Sequence, residues 1–322
     1  MKGLVRAANA LILVLAAIGI VSIGAIFFIW RMPPMTEDKP VRAALPVLTG
    51  SERTADDRYL ALLKKYLTRY DFGGKVLQPM DEYNAARKYV GRYLRSRGVV
   101  LAKVKQQIPE TREEGRDYPA TAETMIGLKR LDNLQECITD VLRKGVQGDF
   151  LEAGAWRGGA TIFMRAMLQV NNVKDRVVWV ADSFEGLPKP DEINFPADKG
   201  DLHYTRSDVL AVGVDQVKAN FRRYGLLDDQ VKFLVGWFKD TLPKSPVEKL
   251  AILRLDADMY ESTTEALQYL YSKLSVGGYC IIDDYGAVVG CKRAVQDFRK
   301  AQNITDELKQ IDWTGVYWQK TM

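Results

Sequence analysis

Two pairs of acidic residues come directly after apolar segments of the sequence. Asp256 and Asp258 follow the apolar run in ILRLDADMYEST, and Asp283 and Asp284 follow the apolar run YCII. Carboxylates that lie close together and lose their hydration are costly to bury unless a cation compensates their charge. Carboxylate oxygens are hard ligands of the kind that Mg²⁺ takes. The pattern therefore predicts that Asp256, Asp283 and Asp284 bind one Mg²⁺ ion.

A helix-capping role is the alternative for some of these acids. A carboxylate at a helix N-terminus accepts hydrogen bonds from the first free backbone N–H groups. Asp258 precedes a segment with helical periodicity, so capping and metal binding both stay open for this residue. For the other three acids, metal binding is the preferred interpretation.

The elements that must position these acids follow from the apolar pattern. Short apolar runs alternate with helical segments, which predicts an α/β fold with a mostly parallel sheet covered on both faces. In such a sheet the ligand lies outside the carboxyl ends of the strands. Two β-like pieces near the C-terminus, Leu308–Ile311 and Val316–Gln319, predict a closing antiparallel hairpin. The predicted parallel strands are Phe150–Glu152, Arg176–Ala181, Val231–Val235, Leu250–Leu255 and Tyr279–Ile282.

A glycine-rich loop, EAGAWRGGA, follows the first of these strands. Glycines there allow a tight turn and a close approach of the backbone to a ligand. A nicotinamide-binding fold would carry G-x-G-x-x-G with a pyrophosphate at the helix N-terminus. The spacing here is G-x-x-x-G-G, and Glu152 precedes it, which disfavours a pyrophosphate and suits the sulfonium and ammonium groups of S-adenosylmethionine. We therefore expect Glu152, Gly154 and Gly158 to contact S-adenosylmethionine.

The other strand ends supply further candidate cofactor residues. Asp182 ends the second strand, where it can accept hydrogen bonds from both ribose hydroxyls, and a helix N-cap is its alternative role. Thr124 and Met125, which lie upstream of the first strand, are candidates for the methionine end of the cofactor. The remaining candidate cofactor residues are Ser183, Gly236 and Trp237.

The composition narrows the class of protein. Of 322 residues, 47% are hydrophobic and 27% are charged, which is typical of a globular protein. A net charge of +5 is too weak to indicate a nucleic-acid partner. His203 is the one histidine, so a histidine-cluster metal site is excluded. The three cysteines have no metal or disulfide pattern, which suits a reducing compartment.

The N-terminus carries a long apolar segment, Ala7–Trp30, interrupted only by Asn9 and Ser22. As a helix it would span about 36 Å, enough for a bilayer core of about 30 Å. The alternative is a cleaved signal peptide, but its apolar core would run only about 7–15 residues. We therefore predict one transmembrane helix, and residues 32–51 with their four prolines predict a linker.

Several long segments resemble the macrocin O-methyltransferase (TylF-type) family of S-adenosylmethionine-dependent sugar O-methyltransferases. The resemblance covers roughly residues 52–322. The segments that carry it are TMIGLKRLDNLQ (124–135), EAGAWRGGATIFMRA (152–166), VWVADSFEGLP (178–188), VKANFRRYGLLDDQVKFLVGWFKDTLP (217–243), LDADMYEST (255–263), IIDDYG (281–286) and IDWTGVYW (311–318).

The resemblance implies a class I methyltransferase fold and a need for Mg²⁺. The metal aspartates of the family match Asp256, Asp283 and Asp284, and the first of these is also the proposed base for the acceptor hydroxyl. The more distant catechol O-methyltransferases place a lysine three residues after their metal aspartate. Met259 occupies that position here, which supports Asp256 as the base, with Asp258 or His203 as second choices.

The sequence therefore predicts a membrane-anchored, Mg²⁺-dependent O-methyltransferase acting on a sugar or glycan-like acceptor. Because S-adenosylmethionine is made in the cytosol, we expect the catalytic domain to face the cytoplasm. A homo-oligomer is compatible with the sequence. The predicted domains are an anchor (1–31), a linker (32–51), a helical substrate or lid region (52–123) and a methyltransferase domain (124–322). The rival interpretations are a nicotinamide-dependent sugar oxidoreductase and a membrane-tethered binding protein that has lost catalysis.

Overall fold

The computed structural model of the protein describes residues 54–70, 75–79, 94, 96–99, 102–106, 108–117 and 121–322. The predicted anchor, Ala7–Trp30, and the predicted linker, residues 32–51, lie outside these residues. Within the described part of the chain, no helix has the length and apolar character needed to cross a bilayer.

A seven-stranded mixed sheet organises the described residues, in the order β5-β4-β3-β6-β7-β9-β8. The five strands from β3 to β7 run parallel to one another, whereas β9 is antiparallel to both β7 and β8. The predicted α/β sheet and its closing hairpin are thus confirmed. The strands are β3 (Asp149–Ala153), β4 (Val178–Asp182), β5 (Val231–Val235), β6 (Leu250–Leu255), β7 (Leu274–Ile282), β8 (Lys309–Gln310) and β9 (Val316–Gln319).

Helices cover both faces of this sheet. Helices α1, α3, α4 and α6 share one apolar core with it, and α8 and α9 share another on the opposite face. The α-helices are α1 (Ala55–Thr68), α2 (Pro109–Glu113), α3 (Leu128–Arg143), α4 (Gly159–Val170), α5 (Ser207–Leu210), α6 (Val214–Arg223), α7 (Phe238–Thr241), α8 (Tyr260–Leu270) and α9 (Val289–Ala301).

The period-two alternation of the strands decides which side chains share a face. Phe150 and Ile252 belong to the first core, whereas Leu151 and Leu253 belong to the second. Glu152 pairs in register with Arg254. Glu152 lies two positions after Phe150, and Arg254 lies two positions after Ile252, so their side chains point to the face of the first core. The sheet therefore places Glu152 and Arg254 side by side on the face covered by α1, α3, α4 and α6.

Strand β7 is longer than the apolar run that predicted it. The sequence indicates a strand from Tyr279, but β7 begins at Leu274. Its first half carries Ser275, Gly277 and Gly278, which have little strand propensity. The pairing of β6 with β7 also shifts register there, so the apolar pattern shows only the regular half of the strand.

The N-terminal part of the described chain contributes one long helix. Helix α1 begins with a capping box, in which the side chain and backbone of Thr54 exchange hydrogen bonds with Asp57. Leu60, Leu63 and Leu67 then bury its inner face in the first core. Two short strands, β1 (Lys75–Pro79) and β2 (Ala102–Gln106), form a separate two-stranded sheet.

The chain divides into two compact units. The unit that contains the large sheet comprises Arg53–Gln78 and Val104–Met322. The other comprises Met1–Glu52 and Pro79–Lys103, and the structure describes few of its residues. All residues predicted to bind the cofactor or the metal lie in the first unit.

Candidate active site

Carboxylates gather at the ends of β6 and β7, as the sequence predicts. Asp256, Asp283 and Asp284 each offer one oxygen atom, and these atoms all lie within 4.8 Å of one another. Asp283 is only 4% exposed, whereas the side chain of Asp256 keeps 29% of its surface exposed. Three hard oxygen donors thus converge where a ligand is expected in this type of sheet.

Arg254 crosses beneath this cluster and connects the ends of three neighbouring strands. Its side chain is 2% exposed and forms ion pairs with Glu152 of β3 and with Asp283 after β7. Its Nη1 atom also donates to Oδ2 of Asp256 at 3.0 Å. A single buried guanidinium therefore compensates part of the charge of all three carboxylates.

A second buried arginine reaches the cluster from helix α3. Arg130 is 6% exposed and forms an ion pair with Oδ2 of Asp283, the oxygen that Arg254 does not contact. Its Nε atom donates to Oδ2 of Asp312 at 3.0 Å. Each oxygen of Asp283 thus faces one guanidinium, which fixes the orientation of this carboxylate.

Three carboxyl groups at the rim have raised pKa values. Burial raises the pKa of the Asp256 carboxyl to about 6, and the charge of Asp283 adds to the rise. Burial raises the pKa of Asp258 to about 7, and the charge of Asp256 adds to it. Burial and the charges of Asp258 and Asp256 also raise the pKa of Asp284 well above its ordinary value. A bound cation would relieve this repulsion.

Asp258 does not cap the helix that follows it. The first turn of α8 is capped by Asp198, whose two oxygens accept the backbone N–H groups of Tyr260 at 2.6 Å and Glu261 at 2.9 Å. Asp258 instead lies in the left-handed region, with φ 56°, and its backbone N–H donates to Oδ2 of Asp284 at 3.2 Å. The capping alternative for Asp258 is therefore wrong.

The glycine loop after β3 touches the acidic cluster directly. Gly154 has φ 90°, and a Cβ atom at this position would lie 1.8 Å from the backbone oxygen of Asp256. Gly158 begins helix α4 with φ 85°, and a Cβ there would lie 2.8 Å from Val217. The glycines thus permit close packing of the loop against β6 on one side and α6 on the other.

Asp182 holds the glycine loop against the loop after β4. Its Oδ2 atom accepts the backbone N–H groups of Ala155 at 2.7 Å and Trp156 at 3.1 Å. Its Oδ1 atom accepts the N–H group of Phe184 at 2.7 Å. Burial raises the pKa of the Asp182 carboxyl, and these backbone donors oppose the rise. Asp182 therefore organises two loops, and the helix-cap alternative is wrong.

Glu152 faces the buried base of the site. It is 2% exposed, and its Oε1 atom pairs with Arg254. Its Oε2 atom has no hydrogen-bond partner among the described residues. Burial raises the pKa of this carboxyl to about 8, although the Arg254 charge opposes the rise.

The segment before helix α3 is fixed at the start of helix α4. The carbonyl of Glu123 accepts the N–H group of Gly159 at 3.0 Å. The Oε1 atom of Glu123 accepts hydrogen bonds from Arg69 and Arg223, both at 3.0 Å. A Cβ atom on Gly159 would lie 2.6 Å from the Thr124 side chain. Thr124 is therefore held against the glycine loop.

The other predicted cofactor residues line the same edge of the sheet. The carbonyl of Met125 accepts a hydrogen bond of 2.7 Å from a buried arginine. Ser183 donates from its hydroxyl to a carbonyl three residues on, at 2.7 Å. Gly236 donates its N–H group to the carbonyl of Asp182 at 2.9 Å, and half-buried Trp237 then begins helix α7.

Four residues of this site were not predicted from the sequence. Arg254 gave the clearest signal, because a charged residue interrupts an otherwise apolar run immediately before the acids. Arg130, Glu123 and Asp198 lie in segments that resemble ordinary amphipathic or loop sequence. Their partners lie far away in the chain, so no local pattern identifies them.

The sequence and the fold of the chain match those of proteins of known activity. The profile of the family described as Macrocin-O-methyltransferase (TylF) matches residues 56–320. The chain belongs to the macrocin O-methyltransferase family. It is therefore an O-methyltransferase, and the sequence-based recognition of the family is confirmed.

Individual members of the family are close in sequence and in fold. The demethyldecarbamoylnovobiocin O-methyltransferase of Streptomyces niveus is 54% identical over 212 residues, which are 66% of this chain and 81% of that protein. The 8-demethyl-8-(2,3-dimethoxy-α-L-rhamnosyl)-tetracenomycin-C 4'-O-methyltransferase of Streptomyces olivaceus is 55% identical over 207 residues, 64% of this chain and 79% of that protein. The structure of the O-methyltransferase NovP superposes with a TM-score of 0.72 at 45% identity, covering 83% of this chain and 100% of NovP.

The structural match confirms the predicted class I fold of S-adenosylmethionine-dependent methyltransferases. It does so for the α/β domain, and the predicted transmembrane helix lies outside the residues that the structure describes. The oxidoreductase and the inactive binding protein find no support in these comparisons.

Proposed function

We propose that this methyltransferase transfers a methyl group from S-adenosylmethionine to a sugar hydroxyl and requires Mg²⁺ to do so. The observation that carries the metal proposal is the convergence of Asp256, Asp283 and Asp284, with oxygens within 4.8 Å of one another. The sugar acceptor is inferred from the tetracenomycin relative, whose name describes methylation of a compound that carries a rhamnosyl group.

The donor set of the cluster fits Mg²⁺. All three candidate ligands are carboxylates, and this cluster of the described chain includes no histidine or cysteine ligand. Burial and neighbouring carboxylates raise the pKa values of Asp256 and Asp284, although Arg254 pairs with Asp256, so a further cation would be favourable there. A bound Mg²⁺ ion would supply Lewis acidity, which lowers the pKa of a coordinated hydroxyl and orients it.

Asp256 is the proposed base for the acceptor hydroxyl. Arg254 holds its Oδ2 atom at 3.0 Å, and the partly exposed side chain leaves an oxygen accessible from the rim. An ionised carboxylate within reach of the acceptor hydroxyl can serve as a general base. Asp256 can therefore accept the hydroxyl proton as the methyl group is transferred.

The cofactor is proposed to lie along the loops after β3, β4 and β5. Glu152 supplies a buried carboxylate oxygen without a partner beneath the glycine loop, in keeping with a cationic ligand. Holding the methyl donor and the acceptor oxygen in line supplies much of the rate of such a transfer. The residues proposed to contact S-adenosylmethionine are Thr124, Met125, Glu152, Gly154, Gly158, Asp182, Ser183, Gly236 and Trp237.

A membrane location is proposed from the sequence alone. Residues 7–30 would anchor the chain, and the catalytic domain would face the cytosol, where S-adenosylmethionine is made. A reporter fused after Met322 should be active only in the cytosol. Activity of that reporter outside the cytosol would contradict this orientation.

The decisive experiment follows formation of S-adenosylhomocysteine with two acceptors, demethyldecarbamoylnovobiocin and 8-demethyl-8-(2,3-dimethoxy-α-L-rhamnosyl)-tetracenomycin C. Chelation should abolish turnover, and added Mg²⁺ should restore it. Asp284→Asn should lower Mg²⁺ affinity and recover at high Mg²⁺, because only a ligand charge is lost. Asp256→Asn should stay slow at any Mg²⁺ concentration, because the base is lost as well. Asp229→Asn, an exposed change far from the rim in sequence, is the matched control.

Two results would count against the proposal. Full turnover in the presence of a chelator would remove the metal requirement. Turnover of Asp256→Asn equal to that of Asp229→Asn would remove Asp256 from the chemistry.

A further inference from the structure

Buried Asp198 is one of the residues that hold the long connection between β4 and α6 against the catalytic rim. Asp198 is 2% exposed and caps the first turn of α8, immediately after the segment Asp256–Met259. A Cβ atom on Gly290, in the first turn of α9, would lie 2.8 Å from its Oδ1 atom. Asp198 therefore sits between the two helices that follow the two acidic pairs.

The attachment continues into the next turn of the connection. The carbonyl of Asp198 accepts the backbone N–H group of Asp201 at 3.0 Å. Phe195, on the other side, lies with its ring 6.4 Å from the ring of Tyr260. Because both flanks of Asp198 are fixed in this way, residues 195–201 have a defined position beside the acidic rim.

His203 follows this fixed segment by two residues, and its ring has a set orientation. The Nδ1 atom of its imidazole lies 2.9 Å from Oδ1 and 3.1 Å from Oδ2 of Asp201. The backbone N–H group of His203 also donates to Oδ1 of Asp201 at 2.7 Å. Asp201 and His203 both lie near enough to Asp258 to interact electrostatically with its carboxyl group.

The Nδ1 atom of the ring is therefore engaged with Asp201, and the Nε2 atom can contact a ligand. When Nδ1 carries the proton that it donates to Asp201, Nε2 of a neutral imidazole is a hydrogen-bond acceptor. The His203 side chain is 47% exposed, so a ligand at the rim can approach it. Mg²⁺ would use the carboxylates, whereas a polyhydroxylated acceptor also needs partners for the hydroxyls that are not methylated.

We propose that His203, oriented by Asp201, accepts a hydrogen bond from a second hydroxyl of the acceptor and so determines acceptor specificity. The inference rests on the proposed function, because it takes the acceptor to be a sugar or another compound with neighbouring hydroxyls. It assigns His203 a role in acceptor binding and not in proton removal, which remains with Asp256. Asp198 is then the positioning residue that holds this connection at the rim.

Two substitutions of His203 test the roles of the two ring nitrogens separately. The amide of His203→Asn lies near the place of Nδ1, so it retains the Asp201 partner and loses the distal acceptor. The amide of His203→Gln reaches the place of Nε2 and can still contact the acceptor. Lys199→Ala is the matched control, because Lys199 is an exposed residue of the same connection.

The experiment uses the full chain with Mg²⁺, S-adenosylmethionine and the two antibiotic acceptors named above. His203→Asn should raise the KM for the acceptor about tenfold, the effect of one lost hydrogen bond, while kcat stays within about twofold. His203→Gln should raise the KM less than His203→Asn does, and Lys199→Ala should not change it. Affinity for S-adenosylhomocysteine and the melting temperature should be the same in all four proteins.

Each other outcome overturns the inference in a recognisable way. An unchanged KM in His203→Asn would show that the ring does not bind the acceptor. A fall in kcat of about a hundredfold or more would make His203 the base. A lower affinity for S-adenosylhomocysteine would indicate a structural role. Failure of the parent enzyme to use either acceptor would overturn the sugar-acceptor part of the proposed function and this inference together.

Discussion

Replacement of Arg254 by methionine tests whether this guanidinium holds the acidic cluster together. Methionine has a similar length and no charge, so the change removes two buried ion pairs without opening a large cavity. The pairs join Arg254 to Glu152 and Asp283, whose side chains are 3% and 5% exposed. Removing one partner of a buried pair typically costs about 3–5 kcal/mol, because the other charge is left uncompensated. We expect a loss of this size in the free energy of unfolding at pH 8 without Mg²⁺.

The loss should depend on pH with a definite sign. Burial raises the pKa of Glu152 from an ordinary value of 4.5 to about 8, so the folded protein binds this proton more tightly than the unfolded chain does. The stability associated with the protonated group is fully present below about pH 4.5 and is lost as pH rises towards 8. Arg254 lowers the pKa of Glu152 and Asp256, so without it the folded-state values rise further. The destabilisation by Arg254→Met should therefore be smaller at pH 5 than at pH 8.

Urea unfolding followed by tryptophan fluorescence measures both quantities on the full chain. Arg143→Met is the control, because the Arg143 side chain is 72% exposed and its pair with Asp140 should contribute about 0–1 kcal/mol. The double variant Glu152→Gln/Arg254→Met should recover part of the stability, because the uncompensated charge of Glu152 is removed. Equal losses for Arg254→Met and Arg143→Met, or a loss that grows as pH falls, would refute the reasoning.

Three further changes test other parts of the site. Gly154→Ala should destabilise the fold by about 1–3 kcal/mol more than Gly145→Ala in urea unfolding, because its Cβ would lie 1.8 Å from the Asp256 carbonyl whereas Gly145 faces open space; equal losses would contradict the contact. Asp182→Ala should weaken S-adenosylmethionine binding by about 1–3 kcal/mol in calorimetry and leave Mg²⁺ affinity unchanged, and an unaltered cofactor affinity would remove Asp182 from the cofactor site. Burial and the Glu261 charge raise the pKa of Glu265 from 4.5 to about 7, so stability falls as pH rises across this interval. The melting temperature of Glu265→Gln should therefore fall less between pH 5 and pH 8 than that of the parent, and parallel curves would contradict this.

The strands of the sheet could be predicted because each one is marked by residues that are adjacent in the sequence. Each of the parallel strands from β3 to β7 contains a short apolar run, and each is followed by glycine or polar residues that mark its end. The carboxyl ends of parallel strands meet at one edge, and this rule predicted the convergence of Asp256 with Asp283 and Asp284. What the apolar pattern missed was the first half of β7, where glycines and a register shift interrupt it.

The partners of the acidic residues could not be predicted, because they depend on contacts between distant segments. Arg254 meets a glutamate 102 positions away, and Arg130 meets Asp283 across 153 positions. The cap of α8 shows the same limit. Rules for helix caps consider neighbouring residues, and they favoured Asp258, but the structure supplies Asp198 from 62 positions upstream.

The two arginines divide the carboxylates of the rim into two groups. Glu152, Asp283 and Asp312 are nearly inaccessible to water, and each of them pairs with Arg254 or Arg130. Asp258 and Asp284 have no ion-pair partner in the described chain, and burial raises the pKa of both carboxyl groups. The protein thus neutralises part of the charge at the base of the site, including that of the proposed metal ligand Asp283, whereas the charge of Asp284 is left for an external cation. This division explains why β6 carries an arginine in the middle of an apolar run immediately before the acids that we assign to the metal.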